Sequence, residues 1–223
     1  MKILCVSDQI DPLVYSLNAK ERYKDVDFVI SAGDLPMEYL DYILSTLNKP
    51  VYFVFGNHNL HEFAYYHHVE GRKKSSGINQ FYPGCGANYL GFKTAKEGNI
   101  LLAGLSGSLR YNNGRNQYTE FQMTLRIFKI IPSLILNKLK YGRYLDILVT
   151  HAAPAGINDK DDPCHRGFKC FRWFMHRFKP KYLLHGHIHL YDLQTLRVSE
   201  FESTQVINVY SRYIIETDDK NGL

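Results

Sequence analysis

Side chains able to bind metal ions stand at five places in the chain: Asp8, Gly33-Asp34, Gly56-Asn57-His58-Asn59, His151, and Gly186-His187-Ile188-His189. Carboxylate and amide oxygens with imidazole nitrogens suit Mn, Fe, Co or Zn, and the set contains no thiolate. Singly, each has a plain structural reading, an Asp as a cap or turn former and a lone His as a hydrogen-bonded surface or core residue. Together they follow one rule, because each closes a short apolar run. Divalent cations held by such donors act as Lewis acids and acidify bound water toward neutral pH.

The runs that must position these residues read as buried strands. Residues 2–7, 28–32 and 51–55 are rich in Val, Ile and Phe and end in polar or glycine-containing turns. Helical patterns at 13–22 and 36–47 separate them, the second with Pro36 at the first helical position. That βαβαβ opening implies a parallel sheet, with the ligand types at the carboxyl ends of its strands, on one edge of one sheet. Residues 71–91 read as a long surface excursion, followed by a strand at 100–104. Thr119 and Gln122 form a capping box that starts a helix at Glu120, which Pro132 should kink or divide. Strands at 146–150 and 181–185 flank a helix around 171–178, and strands at 195–201, 205–209 and 213–216 give an antiparallel end.

With 223 residues and 45% apolar content the chain can bury a sizeable core. Its net charge of +5 suits an anionic substrate but carries no strong nucleic-acid signature. Four cysteines, Cys5, Cys85, Cys164 and Cys170, lack C-x-x-C spacing and read as reduced thiols. The amino terminus lacks the pattern of a signal peptide and no run is long enough to span a bilayer, so a cytoplasmic location is expected. The apolar helical stretch 125–139 could supply a dimer face, although oligomeric state is not readable.

In order and spacing, Asp8, Gly33-Asp34, Gly56-Asn57-His58, His151 and Gly186-His187-Ile188-His189 resemble the motifs D-x-H, G-D, G-N-H-[DE], H and G-H-x-H of the calcineurin-like metallophosphoesterase superfamily. The resemblance, over roughly residues 1–190, implies an α/β fold: a four-layer α/β/β/α sandwich of two mixed sheets flanked by helices, expected as a single domain over 1–223. It implies a dinuclear-metal phosphoesterase that hydrolyses a phosphomonoester or small phosphodiester with a metal-bridging hydroxide. Asp34 is then the bridging carboxylate, with Asn57, His151 and His187 on one metal and Asp8 and His189 on the other. His58 is expected to assist the leaving oxygen as a catalytic acid. The segment HAAPAGIND after the 146–150 strand resembles a branch that acts on cyclic nucleotides.

Two positions depart from the pattern. Ile10 replaces the D-x-H histidine and leaves the first metal site one ligand short, a gap that Asp11, Gln9, Tyr39 or water could fill. Asn59 replaces an Asp or Glu able to orient His58. Arg110 could clamp a phosphate, and the loop 159–167 should overhang the metals with Asp162 and His165 as specificity residues. His61, His67 and His68 read as surface residues, and Arg72-Lys73-Lys74 as a solvated tip. The competing readings are a protein-binding module that keeps the fold without turnover, and a nuclease.

Overall fold

A computed structural model describes residues 1–66, 86–191 and 196–217. The first sheet takes β1 (Lys2–Ser7), β2 (Phe28–Ser31), β3 (Val51–Phe53) and β4 (Asn88–Tyr89) in parallel order, and β13 (Ser211–Glu216) lies antiparallel on the outer side of β1. The second sheet orders β11 (Val198–Phe201), β12 (Thr204–Asn208), β10 (Tyr182–His185), β9 (Ile147–Thr150), β6 (Ile100–Leu105) and β5 (Thr94–Glu97). A short pair, β7 (Ser108–Leu109) and β8 (Gln117–Tyr118), stands apart from both.

Alternation along β1 shows how the layers form. Ile3 and Cys5 point into the space between the sheets, where they meet Ile147, Val149, Leu184 and Ile207 of the second sheet. Leu4 and Val6 point outward to Leu40 and Ile43 of α2 (Met37–Leu47), while α1 (Ala19–Arg22) adds Ala19 and the short α3 (Phe63–Tyr66) adds Phe63 to the same layer. On the far side, α4 (Glu120–Tyr141) and α5 (Lys169–Phe178) cover Leu148 and Leu183 with Ile127, Ile130, Phe171 and Phe174. Strands buried on both faces read as unbroken apolar runs, as these do. The result is the four-layer α/β/β/α sandwich that the sequence implies.

Several local expectations change. The ligand-bearing strands do not share one sheet: β1, β2 and β3 belong to the first, β9 and β10 to the second. The helix expected at 13–22 shrinks to α1, because the Asp11 carboxylate accepts from the amides of Leu13 and Val14 and turns the chain instead. Pro36 is the N-cap of α2 with extended backbone, not its first helical residue. The 22-residue α4 runs through Pro132 undivided. Pro132 is exposed, so water can meet the carbonyl that it leaves unbonded. Thr119 and Gln122 make the expected capping box. The final strands are not uniformly antiparallel, since β12 pairs parallel with β10 and β13 crosses to the other sheet. Most of the expected excursion at 71–91, with Cys85 and the basic triplet at 72–74, lies outside the described residues, as do His67 and His68. Its last residues form β4.

Candidate metal centre

The carboxyl ends of β1, β2, β3, β9 and β10 converge where the two sheets meet. Asp8, Asp34 and His187 each take a left-handed backbone, with φ of 64°, 57° and 66°. Side-chain-bearing residues rarely adopt that region, and such strain concentrates at functional sites. Here it turns each chain sharply at its strand end. Two glycines allow the approach: a Cβ at Gly56 would meet Asp34 Oδ1 at 2.0 Å, and one at Gly186 would meet Asp8 Oδ2 at 2.3 Å.

Asp34, His151 and His187 bring ligand atoms within 4.8 Å of one another. His151 is fully buried, and its Nδ1 lies 2.8 Å from the carbonyl of Ala32. A carbonyl only accepts, so Nδ1 carries the proton and the neutral ring keeps its lone pair on Nε2. That nitrogen faces Asp34 Oδ2 at 3.2 Å and Asn57 Oδ1 at 3.2 Å. Asn57 is held in this orientation because its Nδ2 donates to the Tyr111 hydroxyl at 3.1 Å. Likewise His187 Nε2 donates to the Cys164 carbonyl at 2.7 Å, which leaves the Nδ1 lone pair for the centre. Buried acceptors facing one another repel unless a cation joins them. Either a proton on His151 or a divalent ion meets that need, and the donor set of carboxylate, amide oxygen and two imidazoles fits the ion.

The electrostatics follow the same contact. Burial opposes charge on His151, but the facing Asp34 carboxylate outweighs it and drives the ring up to about 9. Burial likewise opposes ionisation of Asp34, yet the His151 charge and the amide of His58, which donates at 2.8 Å, carry it down to about 2. His187, where burial dominates, falls to about 4 and stays neutral, the state in which an imidazole can bind a metal ion.

Asp8 and His189 stand beside this cluster. The Asp8 carboxylate accepts from the His187 amide at 3.0 Å, and His189 Nε2 lies 3.8 Å from Asp8 Oδ1. The Tyr191 hydroxyl, 2.8 Å from His189 Nδ1, fixes that ring, and Asn208 holds the intervening turn by donating to the Ile188 carbonyl at 2.8 Å. Tyr111, Tyr191 and Asn208 escaped the sequence reading because no fixed spacing ties them to the residues that they orient.

Of the candidates to replace the missing histidine, two are committed elsewhere. The Asp11 carboxylate is occupied by the Leu13 amide, Ser211 Oγ at 2.7 Å and Arg212 Nε at 3.1 Å, and the Tyr39 hydroxyl accepts from the Asp11 amide. Ile10 is 42% exposed. Asn59 has a task that a carboxylate could not perform, since its Nδ2 donates to the Asp34 carbonyl at 2.9 Å. His58 is exposed beside the cluster, its backbone pinned to Asp34. The 159–167 loop does reach the centre: the His165 ring lies tilted at 51° with its centroid 5.4 Å from that of His187, and Asp162 holds His165 Nδ1 at 2.8 Å. Arg110 sits next to Tyr111 in sequence, but its guanidinium contacts the Gln117 carbonyl and Gln122 Oε1 rather than the cluster. His61 is exposed.

The calcineurin-like phosphoesterase family model matches residues 1–191. The chain belongs to that family. TT1561 of Thermus thermophilus shares the fold at a TM-score of 0.56 with 12% identity, over 94% of this chain and 89% of that one. A second crystal structure superposes at a TM-score of 0.55 with 14% identity, over 94% and 90%. No curated protein matches significantly. A calcineurin-like phosphoesterase fold implies divalent metal ions, and the Asp34, His151 and His187 cluster fits one.

Proposed function

We propose that this calcineurin-like phosphoesterase hydrolyses a phosphomonoester or a small phosphodiester, such as a nucleotide or cyclic nucleotide, at a dinuclear metal centre, as one domain over residues 1–223. The observation that carries the reading is the buried meeting of His151 Nε2, Asp34 Oδ2 and Asn57 Oδ1, an arrangement that calls for a cation. Asn57, His151 and His187 would hold one ion, Asp8 and His189 the other, and Asp34 would bridge them. When bound, two divalent ions neutralise the phosphate and acidify water.

The chain's own groups supply the rest. His58, exposed beside the centre, is placed to give a proton to the leaving oxygen. Asp162 orients His165 toward the rim, where the imidazole can contact the ester's substituent. Gln9 or water completes the first site, since Asp11 and Tyr39 are engaged. The HAAPAGIND segment supports the cyclic-nucleotide class. The free thiols of Cys5, Cys164 and Cys170 are in keeping with a reducing, cytoplasmic setting.

The second reading, a binding module without turnover, is favoured by the exposed Ile10 at a ligand position. Elemental analysis of purified protein, paired with hydrolysis of bis-p-nitrophenyl phosphate with and without manganese, separates the two. Two metals per chain and metal-dependent hydrolysis support the enzyme. At most one metal and no hydrolysis with Mn, Fe, Zn or Co favour the binding module.

A further inference from the structure

The outer face of α4 carries Phe121, Leu125, Phe128, Pro132, Ile135 and Leu139, spaced four and three residues apart in alternation. At about 100° per residue these positions stay within one narrow strip of the helix. The opposite face, with Met123, Ile127, Ile130 and Leu134, already packs on the core, so the strip is surplus to folding. Its side chains are bared to solvent: Phe121 is 71% exposed, Phe128 52% and Leu139 78%. Trp173 of α5, its ring 6.0 Å from Phe128, widens the strip. A contiguous exposed apolar strip of this kind, rimmed by polar residues, marks an interaction surface.

Three cavities open along this helix. One, about 430 Å³, is lined by Thr124, Phe128, Lys169, Cys170 and Trp173. Another, about 390 Å³, takes Arg110, Arg126 and Lys129 among its lining residues. The third, about 190 Å³, takes Lys138, Arg177 and Lys179. Among the described residues none of these six cations pairs with a carboxylate. On α4 itself four cations stand against one acid, Glu120, which is taken up by the amides of Lys169 and Cys170.

We propose that this face docks on an anionic phospholipid bilayer, the strip entering the headgroup boundary and the two basic cavities receiving lipid phosphates. Charge decides between this occupant and a second copy. With cations outnumbering acids four to one on α4, a second copy would crowd like charges around the strip in either helix direction. An anionic surface pairs with them. A helix of 22 residues, about 33 Å long, with an apolar strip and basic flanks lies in the interface plane. Among the described residues no helix is long and apolar enough to cross a membrane.

The chain's single tryptophan, Trp173, lies in the strip and reports insertion directly. With full-length protein and extruded vesicles of phosphatidylcholine, with or without phosphatidylglycerol, co-sedimentation should require the anionic lipid and weaken with salt. Trp173 emission should shift to the blue. Lys129→Gln and Lys138→Gln should each weaken binding about fivefold. Phe121→Ser combined with Leu139→Ser should weaken it by more than about tenfold and abolish the shift, with the circular dichroism spectrum unchanged. No sedimentation at low salt would overturn the proposal. So would binding that ignores the serine pair and leaves emission unmoved, which is adsorption by charge alone. A dimer in sedimentation equilibrium that the serine pair dissolves, without vesicle binding, would assign the strip to a second copy.

Discussion

His151 Nε2 has two oxygens in front of it, and whatever cation it shares with them governs the site. In the metal-free protein that cation is its own proton, held up to about 9 against the cost of burial by the Asp34 carboxylate. A group raised in the folded state gives stability that is fully present below its unfolded value, about 6.5, and is lost as pH rises through the folded one. The melting temperature of chelated protein should therefore fall between about pH 6.5 and 9, whereas metal-loaded protein, with the ion in the proton's place, should show no such fall. A flat curve for the chelated protein would contradict the pairing. Substitution divides the roles further. Asp34→Ala should remove activity and most bound metal, and near-normal turnover would end its bridging role. His58→Ala should lower kcat by about 10²–10⁴ with metal content nearly intact, and metal loss instead would make it a ligand.

Strand ends bring these side chains close enough to act. The turn after β3 touches the turn after β2 because Gly56 has no Cβ, and an added methyl would sit 2.0 Å from Asp34 Oδ1 and 2.5 Å from His151 Cε1. Neither group can retreat, since Asp34 is held by the His58 amide and His151 by the Ala32 carbonyl. Gly56→Ala should therefore cut metal affinity at least about tenfold, measured by competition with a chelating dye, while the melting temperature of metal-free protein moves by only a few degrees. Unaltered affinity would mean that the turn can move as a whole. The element at the opposite end of the chain matters as well. Strand β13 supplies Ser211 and Arg212 to the Asp11 carboxylate, so the loop bearing Gln9 and Ile10 is fastened by residues two hundred positions away.

Across the whole molecule, the centre lies on the seam between two sheets, with Asp8, Asp34 and Asn57 from one and His151, His187 and His189 from the other. A metal bound there ties the layers together and binds only the folded chain. Saturation at about 100 times Kd should then add about 2.7 kcal/mol of stability, and chelation should lower the melting temperature by several degrees in one cooperative transition. No shift by calorimetry would mean that metal does not bind the native state. The sequence by itself determined the candidate ligand residues, the strands that carry them, the family and the capped start of α4, because these depend on local spacing and on short apolar runs. It also showed the missing histidine at Ile10. Only the tertiary structure decided that the ligands come from two sheets, that β12 runs parallel to β10, that Asp11 and Tyr39 are spent on a loop, and that Tyr111, Tyr191 and Asn208 orient the site. Strand partners and side-chain contacts between distant residues depend on which surfaces meet in the core, and that choice leaves no periodic trace along the chain.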